Sequence, residues 1–216
     1  MTVTAIRHAN TTKPLSPDKD RERVLTEKGI AQAHSVRGQL LNAGLGKYDL
    51  IFVSPVARVW QTEEIIAGSE NRAPFHEIPE LYETLILEER TEIEKMWNDL
   101  GYAPFRAYIR RYPREHIFIV RMVACALVMI NKIIEAAGTI RTIATNRGGT
   151  GHDQGILIVG SAVIIPAVMY EMTGVGTSSS TILDLNMEEC ETVVLDFDMV
   201  GTGKPIIQEH IKPVLE

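Results

Sequence analysis

Thr2–Thr11 reads TVTAIRHANT, and the fold is decided by how this decapeptide is taken. Val3, Ala5 and Ile6 have the short apolar character of a buried strand, predicted over Val3–Arg7. Arg7-His8 falls where that strand ends. Polar Asn10, Thr11 and Thr12 follow, then a loop through Lys13, Pro14, Pro17 and Asp18. In open α/β sheets, ligand sites lie beyond the carboxyl ends of the strands. An Arg and a His at such an end are well placed for an anionic ligand.

Working outward, Leu25-Thr26-Glu27-Lys28-Gly29 opens a helix with Thr26 as its N-cap. Ile30, Ala33, Val36 and Leu40 repeat at helical spacing, and Gly44 and Gly46 are stop signals. Asp49–Val53 is a second buried strand. Ser54-Pro55 ends it, with Ser54 as a cap and Pro55 at the first helical position. Arg58 then falls in the first turn of the next helix, beside exposed N–H groups, where an anion is favoured twice over.

Phe75–Ile78 is a possible third strand, and Pro79–Glu83 leaves it as a loop with two acids, Glu80 and Glu83. From Leu87 to Tyr112 the pattern is mixed and charged, and reads as a helical insertion, about 85–114, over the site. Ile117–Ala137 reads as one long, mostly buried helix. Thr145–Gln154 is Gly-rich but lacks the Gly-Lys-Ser/Thr ending of a phosphate-binding P-loop. Gly155–Gly160 is a clear buried strand. Val163–Met172 is helical, and Ser180–Met187, Thr192–Phe197 and Pro205–His210 are strands, some in antiparallel pairing. Alternation of strand and helix argues for an α/β fold: a three-layer α/β/α sandwich around a mostly parallel mixed sheet, within one domain of 216 residues.

Hydrophobic content of 45% and charged content of 23% are ordinary for a soluble globular chain. A net charge of −6 gives no general attraction to nucleic acid or to anionic membranes. An anion site must therefore be a local cluster of positive groups. Cys125 and Cys190 form no metal or redox spacing, and no cluster of His and carboxylates has ligand spacing, so neither metal nor cofactor is expected. Ile117–Ile130, the most hydrophobic segment, is too short to span a bilayer and carries Arg121. With no signal-peptide pattern near the N-terminus, a cytoplasmic setting is expected.

Three motifs stand in order: Arg7-His8-Ala9-Asn10-Thr11, then Leu25-Thr26-Glu27-Lys28-Gly29-Ile30-Ala31-Gln32-Ala33, then Ser54-Pro55-x-x-Arg58-x-x-Gln61-Thr62. Together they resemble the signatures of the histidine phosphatase superfamily, the phosphoglycerate-mutase-like group. The resemblance implies that His8 is a nucleophile forming a phosphohistidine and that Arg7 and Arg58 clamp the phosphoryl oxygens. Asn10 and Thr11 join them as phosphate-binding residues. It implies that Glu83, in Pro79-Glu80-Leu81-Tyr82-Glu83, is the acid and base, with Glu80 the runner-up.

One departure stands out. The family has a second His after a late apolar strand, and here Ser161 follows Ile156–Gly160. A hydroxyl cannot carry an imidazolium's charge, and loss of one well-placed donor costs about 10²–10³ in rate. His152 is the one other histidine near that strand in sequence. The resemblance implies hydrolysis of a small phosphorylated substrate, impaired by Ser161. The rival is a catalytically inactive pseudophosphatase that keeps Arg7, His8 and Arg58 to bind a phosphorylated ligand or protein partner.

Overall fold

The computed structural model describes residues 1–13, 17–71, 73–79, 155–161, 187–196 and 206–215, with scattered positions between 95 and 138 and residue 165. The strands are β1 (Thr2–Arg7), β2 (Leu50–Val53), β3 (Phe75–Glu77), β4 (Gly155–Gly160), β5 (Thr192–Asp196) and β6 (Ile206–Ile211). The helices are α1 (Glu27–Asn42) and α2 (Ala57–Ala67), and a 3₁₀ turn spans Pro17–Glu22. The six strands form one sheet in the order β3-β2-β4-β1-β5-β6. The pairs β2–β3, β2–β4 and β1–β4 are parallel, and β1–β5 and β5–β6 are antiparallel.

Chain order explains where a ligand fits. From β1 the chain runs past β4 to β2 on one side, whereas from β4 it runs past β1 to β5 on the other. In strand order, connections leave these two adjacent strands in opposite directions, the kind of switch point at whose carboxyl ends open α/β sheets bind ligands. The residues delivered there are His8 and Ser161.

Both faces of the sheet are apolar. Ile6, Ile51, Val53, Leu157, Val159 and Val194 join Ala33, Val36 and Leu40 of α1 and Val59 and Ile66 of α2 in one core. Residues one step along each strand point the other way. Val3, Ala5, Phe52, Ile156, Ile158 and Val193 on that opposite face are fully buried too. A sheet buried on both faces requires a layer on each side, which is the three-layer α/β arrangement expected from the sequence.

Several local expectations need correction. Ile30 is 43% exposed; the buried stripe of α1 is Gly29, Gln32, Ala33, Val36 and Leu40. Ser54 and Pro55 lie in the turn before α2, whose N-cap is Val56, with no side-chain cap. The loop expected up to Asp18 tightens into 3₁₀ structure at Pro17. Between 124 and 138, Ala126 is buried but Leu127 and Ile134 are exposed, so these helical residues are not buried all round. The insertion at 85–114 lies almost wholly outside the described residues, as do the Gly-rich loop at 145–154, the expected strand at 180–186 and Cys125.

Thr26 caps α1 as its position implies, its hydroxyl accepting from the Gly29 N–H at 3.1 Å. This first turn lies against the chain that leaves β1. A Cβ on Gly29 would sit 2.1 Å from the Asn10 carbonyl oxygen and 3.0 Å from its carbon, and backbone there cannot give way cheaply. Gly38, on the same helix, has nothing within 4 Å of its would-be Cβ. Gly29→Ala is therefore expected to destabilise by about 1–3 kcal/mol. Gly38→Ala should stabilise by about 0.4–1 kcal/mol through the unfolded chain. Urea midpoints of the two variants check both signs.

Candidate active site

The parallel ladder of β1 and β4 pairs Arg7 with Gly160, and the His8 N–H donates to the Gly160 carbonyl at 2.9 Å. Ser161, half-buried, is the next residue along, so it leaves β4 beside His8. The Ile165 N–H donates to the Ser161 carbonyl at 3.2 Å.

His8 is buried and its backbone is held by neighbours from three sides. Its carbonyl accepts from the Cys190 N–H at 3.2 Å. The following Ala9 N–H donates to Thr62 Oγ1 at 3.1 Å, and that hydroxyl donates to the Arg58 carbonyl at 2.7 Å. The Asn10 N–H donates to Gln32 Oε1 at 2.9 Å, and the Asn10 carbonyl accepts from the Thr26 N–H at 3.1 Å. Gln61 Oε1 accepts from the Leu25 N–H at 2.7 Å. Thr26, Gly29, Gln32 and Thr62 of the second and third motifs thus support the segment after β1, and Gln61 supports the entry to α1.

Imidazole Nδ1 lies 2.9 Å from the Ala9 carbonyl oxygen. A carbonyl only accepts, so the proton sits on Nδ1 and Nε2 keeps its lone pair. Burial is the largest influence on this ring's basicity. Arg58, and more weakly Arg7 and Arg23, add to it, and together they outweigh the bond to Ala9 and lower the pKa from 6.5 to about 3. His8 is therefore neutral at pH 7, the state in which an imidazole nitrogen is a nucleophile.

Arg7 is anchored by its Nη1 donating to the Met187 carbonyl at 2.6 Å, and by its N–H donating to the Glu191 carbonyl at 3.1 Å. The segment that supplies both acceptors, Met187–Glu191, contains Cys190 at φ 61°, a left-handed conformation unusual outside glycine. Arg58 is buried in the first turn of α2, as its spacing implies. Its Nη1 donates to the Asp20 carbonyl at 2.6 Å and its Nη2 lies 3.0 Å from Asp20 Oδ2.

The sequence-predicted residues separate into groups. Arg7, His8, Arg58 and Ser161 are brought to one end of the sheet. Asn10 and Thr11 are near, but their side chains are engaged elsewhere. Asn10 Nδ2 donates to Glu189 Oε2 at 2.7 Å, Asn10 Oδ1 accepts from Thr26 Oγ1 at 2.6 Å, and Thr11 Oγ1 accepts from Arg23 Nη2. Glu83, Glu80 and His152 lie outside the described residues. His34 and His76 are exposed, and His210 pairs with Glu191. Among the described residues no group of three or more His, Cys, Asp or Glu side chains is placed to hold a metal ion. Two residues at the site that the sequence does not mark are Asp20 and Arg23, which stand among the charges of the run Asp18–Arg23 and are brought to Arg58 by the fold.

The depressed basicity of His8 makes stability depend on pH. Between its ordinary pKa of 6.5 and its folded value of about 3, the unfolded chain binds one more proton than the folded one. Stability from this group is therefore present above about pH 6.5 and lost as pH falls towards 3. From pH 7 to pH 5 the loss is about 2 kcal/mol. Denaturant midpoints measured at both pH values should fall more steeply in the native protein than in His8→Ala, whatever the absolute stability of the variant.

No curated protein matches the chain. Solved structures with the same fold include the alpha-ribazole phosphatase from Shigella flexneri, at 18% identity and TM-score 0.60 over 100% of both chains. Another is the phosphoserine phosphatase from Entamoeba histolytica in complex with 3-phosphoglyceric acid, at 16% identity and TM-score 0.59 over 97% of this chain and 95% of that one. A third is the protein histidine phosphatase SixA complexed with tungstate, at 14% identity and TM-score 0.56 over 99% and 97%. The profile of the histidine phosphatase superfamily (branch 1) matches residues 3–118, more than half the chain, and the protein belongs to that superfamily.

Proposed function

We propose that the protein hydrolyses phosphomonoesters through a phosphohistidine formed on His8, acting on a small phosphorylated substrate. Membership of the histidine phosphatase superfamily makes phosphatase chemistry the class of activity. The observation that carries the reading is His8 itself: buried, neutral at neutral pH, its Nε2 lone pair available, and three guanidinium groups acting on it.

The two steps follow from these atoms. Nε2 attacks phosphorus, a P–N bond forms, the P–O bond to the leaving group breaks, and that oxygen takes a proton. Water then attacks phosphorus, the P–N bond breaks, and the water's proton passes to a base. Arg7 and Arg58 offset the charge on the equatorial phosphoryl oxygens as it shifts between the attacking and leaving atoms. Glu83 is the proposed proton donor and acceptor, assigned from its motif context, with Glu80 as the alternative. Ser161 supplies one neutral donor where relatives place an imidazole. The proposed substrate preference is set by the region 85–114, and the proposed setting is cytoplasmic.

Ser161 also favours a second reading, a binding protein that keeps the anion pocket without turnover. Two variants separate the readings with p-nitrophenyl phosphate as substrate. His8→Ala should abolish phosphate release while the far-ultraviolet circular dichroism is unchanged; full turnover would mean that another group is the nucleophile. Ser161→His should raise turnover at least tenfold, which needs about 1.4 kcal/mol of added transition-state stabilisation. No rise, with inorganic phosphate still bound, would favour the binding protein.

A further inference from the structure

Arg58 is buried at the start of α2, and both of its Nη atoms already donate to Asp20. Asp20 places Oδ2 3.0 Å from Arg58 Nη2 and Oδ1 3.2 Å from Arg23 Nη1, so its two oxygens are divided between two guanidinium groups. Arg58 Nη1 additionally takes the Asp20 carbonyl at 2.6 Å. Arg23 is itself tied down, with Nε donating to the Thr12 carbonyl at 2.7 Å and Nη2 to Thr11 Oγ1. Both guanidinium groups act electrostatically on His8. A single anion therefore bridges two fixed cations beside the candidate nucleophile.

Planar guanidinium groups bind carboxylate and phosphate through the same paired N–H geometry. Arg58 Nη1 and Nη2 each donate to an oxygen of Asp20, so a phosphoryl group that engages the same N–H pair must take the place of Asp20. Burial alone would push the Asp20 carboxyl above its ordinary pKa, but Arg58 and Arg23 together outweigh that and hold it below, so the group is charged at neutral pH. The residue rides on a six-residue 3₁₀ turn whose Lys19, Arg21 and Glu22 side chains are exposed, with Lys19 and Glu22 paired at the surface. Such a surface pair contributes little, whereas Asp20 ties the turn to Arg58 and Arg23.

We propose that Asp20 is an internal competitor for the phosphoryl site: its carboxylate occupies Arg58 and Arg23, and a phosphorylated ligand must displace it to reach His8. Arg23 is then a second guanidinium on the displaced carboxylate's site, beyond the two implied by the motifs. Weak or singly charged anions are disfavoured, because they exchange one carboxylate-like partner for another. This rests on the reading of Arg58 as part of an anion site.

Inorganic phosphate, titrated calorimetrically at fixed ionic strength, tests it. Asp20→Asn keeps the shape and removes the charge, and Asp20→Ala removes both oxygens. Each should bind phosphate at least tenfold more tightly than the native protein, and Arg23→Gln in the Asp20→Asn background should lose most of that gain. Unchanged or weaker binding in both Asp20 variants, with thermal midpoints showing them folded, would mean that Asp20 merely holds Arg58 in place, and overturns the competitor. A gain that survives Arg23→Gln overturns the bridging site. Phosphate binding indifferent to Arg58→Ala rejects the anion site itself, a result distinct from the other two.

Discussion

The parallel pairing of β1 with β4 is the constraint on which the site depends. It is fixed in register from Thr2–Gly155 to Arg7–Gly160, and it ends in the bond from the His8 N–H to the Gly160 carbonyl. A slip of one residue would turn Ile6 and Val159 out of the core that contains α1 and α2, and Val3 and Ile158 out of the opposite one. Because both faces of these strands are buried, the cost falls on both sides at once. The apolar layers thus hold the register, and the register sets His8 beside Ser161. Core packing and site geometry are one specification here.

Beyond the ladder, the chain after β1 is irregular and needs its backbone groups satisfied by other means. The Ala9 N–H goes to Thr62, the Asn10 N–H to Gln32, and the Asn10 carbonyl to the Thr26 N–H. Gly29 lets the α1 terminus approach that carbonyl to a distance at which any side chain would collide. Removing one such partner would leave a buried polar group unpaired, at about 1–3 kcal/mol each. On the other side, the left-handed residue at Cys190 turns the 188–191 segment so that Arg7 and His8 both find acceptors or donors in it. Glu191, buried, accepts from the Glu188 N–H and pairs with His210, which closes that turn on itself.

This explains what could be read from the sequence and what could not. The strands were legible because a buried parallel strand is a short apolar run, and Ile51–Val53 and Ile156–Val159 are such runs. The Arg7-His8 and Arg58 positions were legible because strand ends and first helical turns are marked by local signals. Periodicity placed α1 but assigned Ile30 to its buried face, where the tight approach to Asn10 instead favours Gly29 and a hydrogen-bonding Gln32. Val56 rather than Ser54 precedes α2, because Ser54 still belongs to the β2 exit: its N–H donates to the Val159 carbonyl at 3.3 Å. Asp20 and Arg23 were not legible as site residues. Nothing local distinguishes them from the other charges of the run Asp18–Arg23; only the fold brings them to Arg58.

The balance of charge ties the two unusual features together. Arg7, Arg58 and Arg23 all lower the basicity of His8, so the field at the imidazole is positive even though the chain carries a net charge of −6. A protonated imidazole at position 161 would add to that field; Ser161 does not. Asp20 subtracts from it directly, through oxygens 3.0 and 3.2 Å from two of the three cations. An anion arriving at His8 therefore meets a site weaker in positive charge than its three arginines alone imply, and gains the full attraction of Arg58 and Arg23 only when the carboxylate has left. The same two cations stabilise the closed arrangement and the bound phosphoryl group, so their strength largely cancels in the exchange. What remains to favour the phosphoryl group is its second negative charge and its third equatorial oxygen.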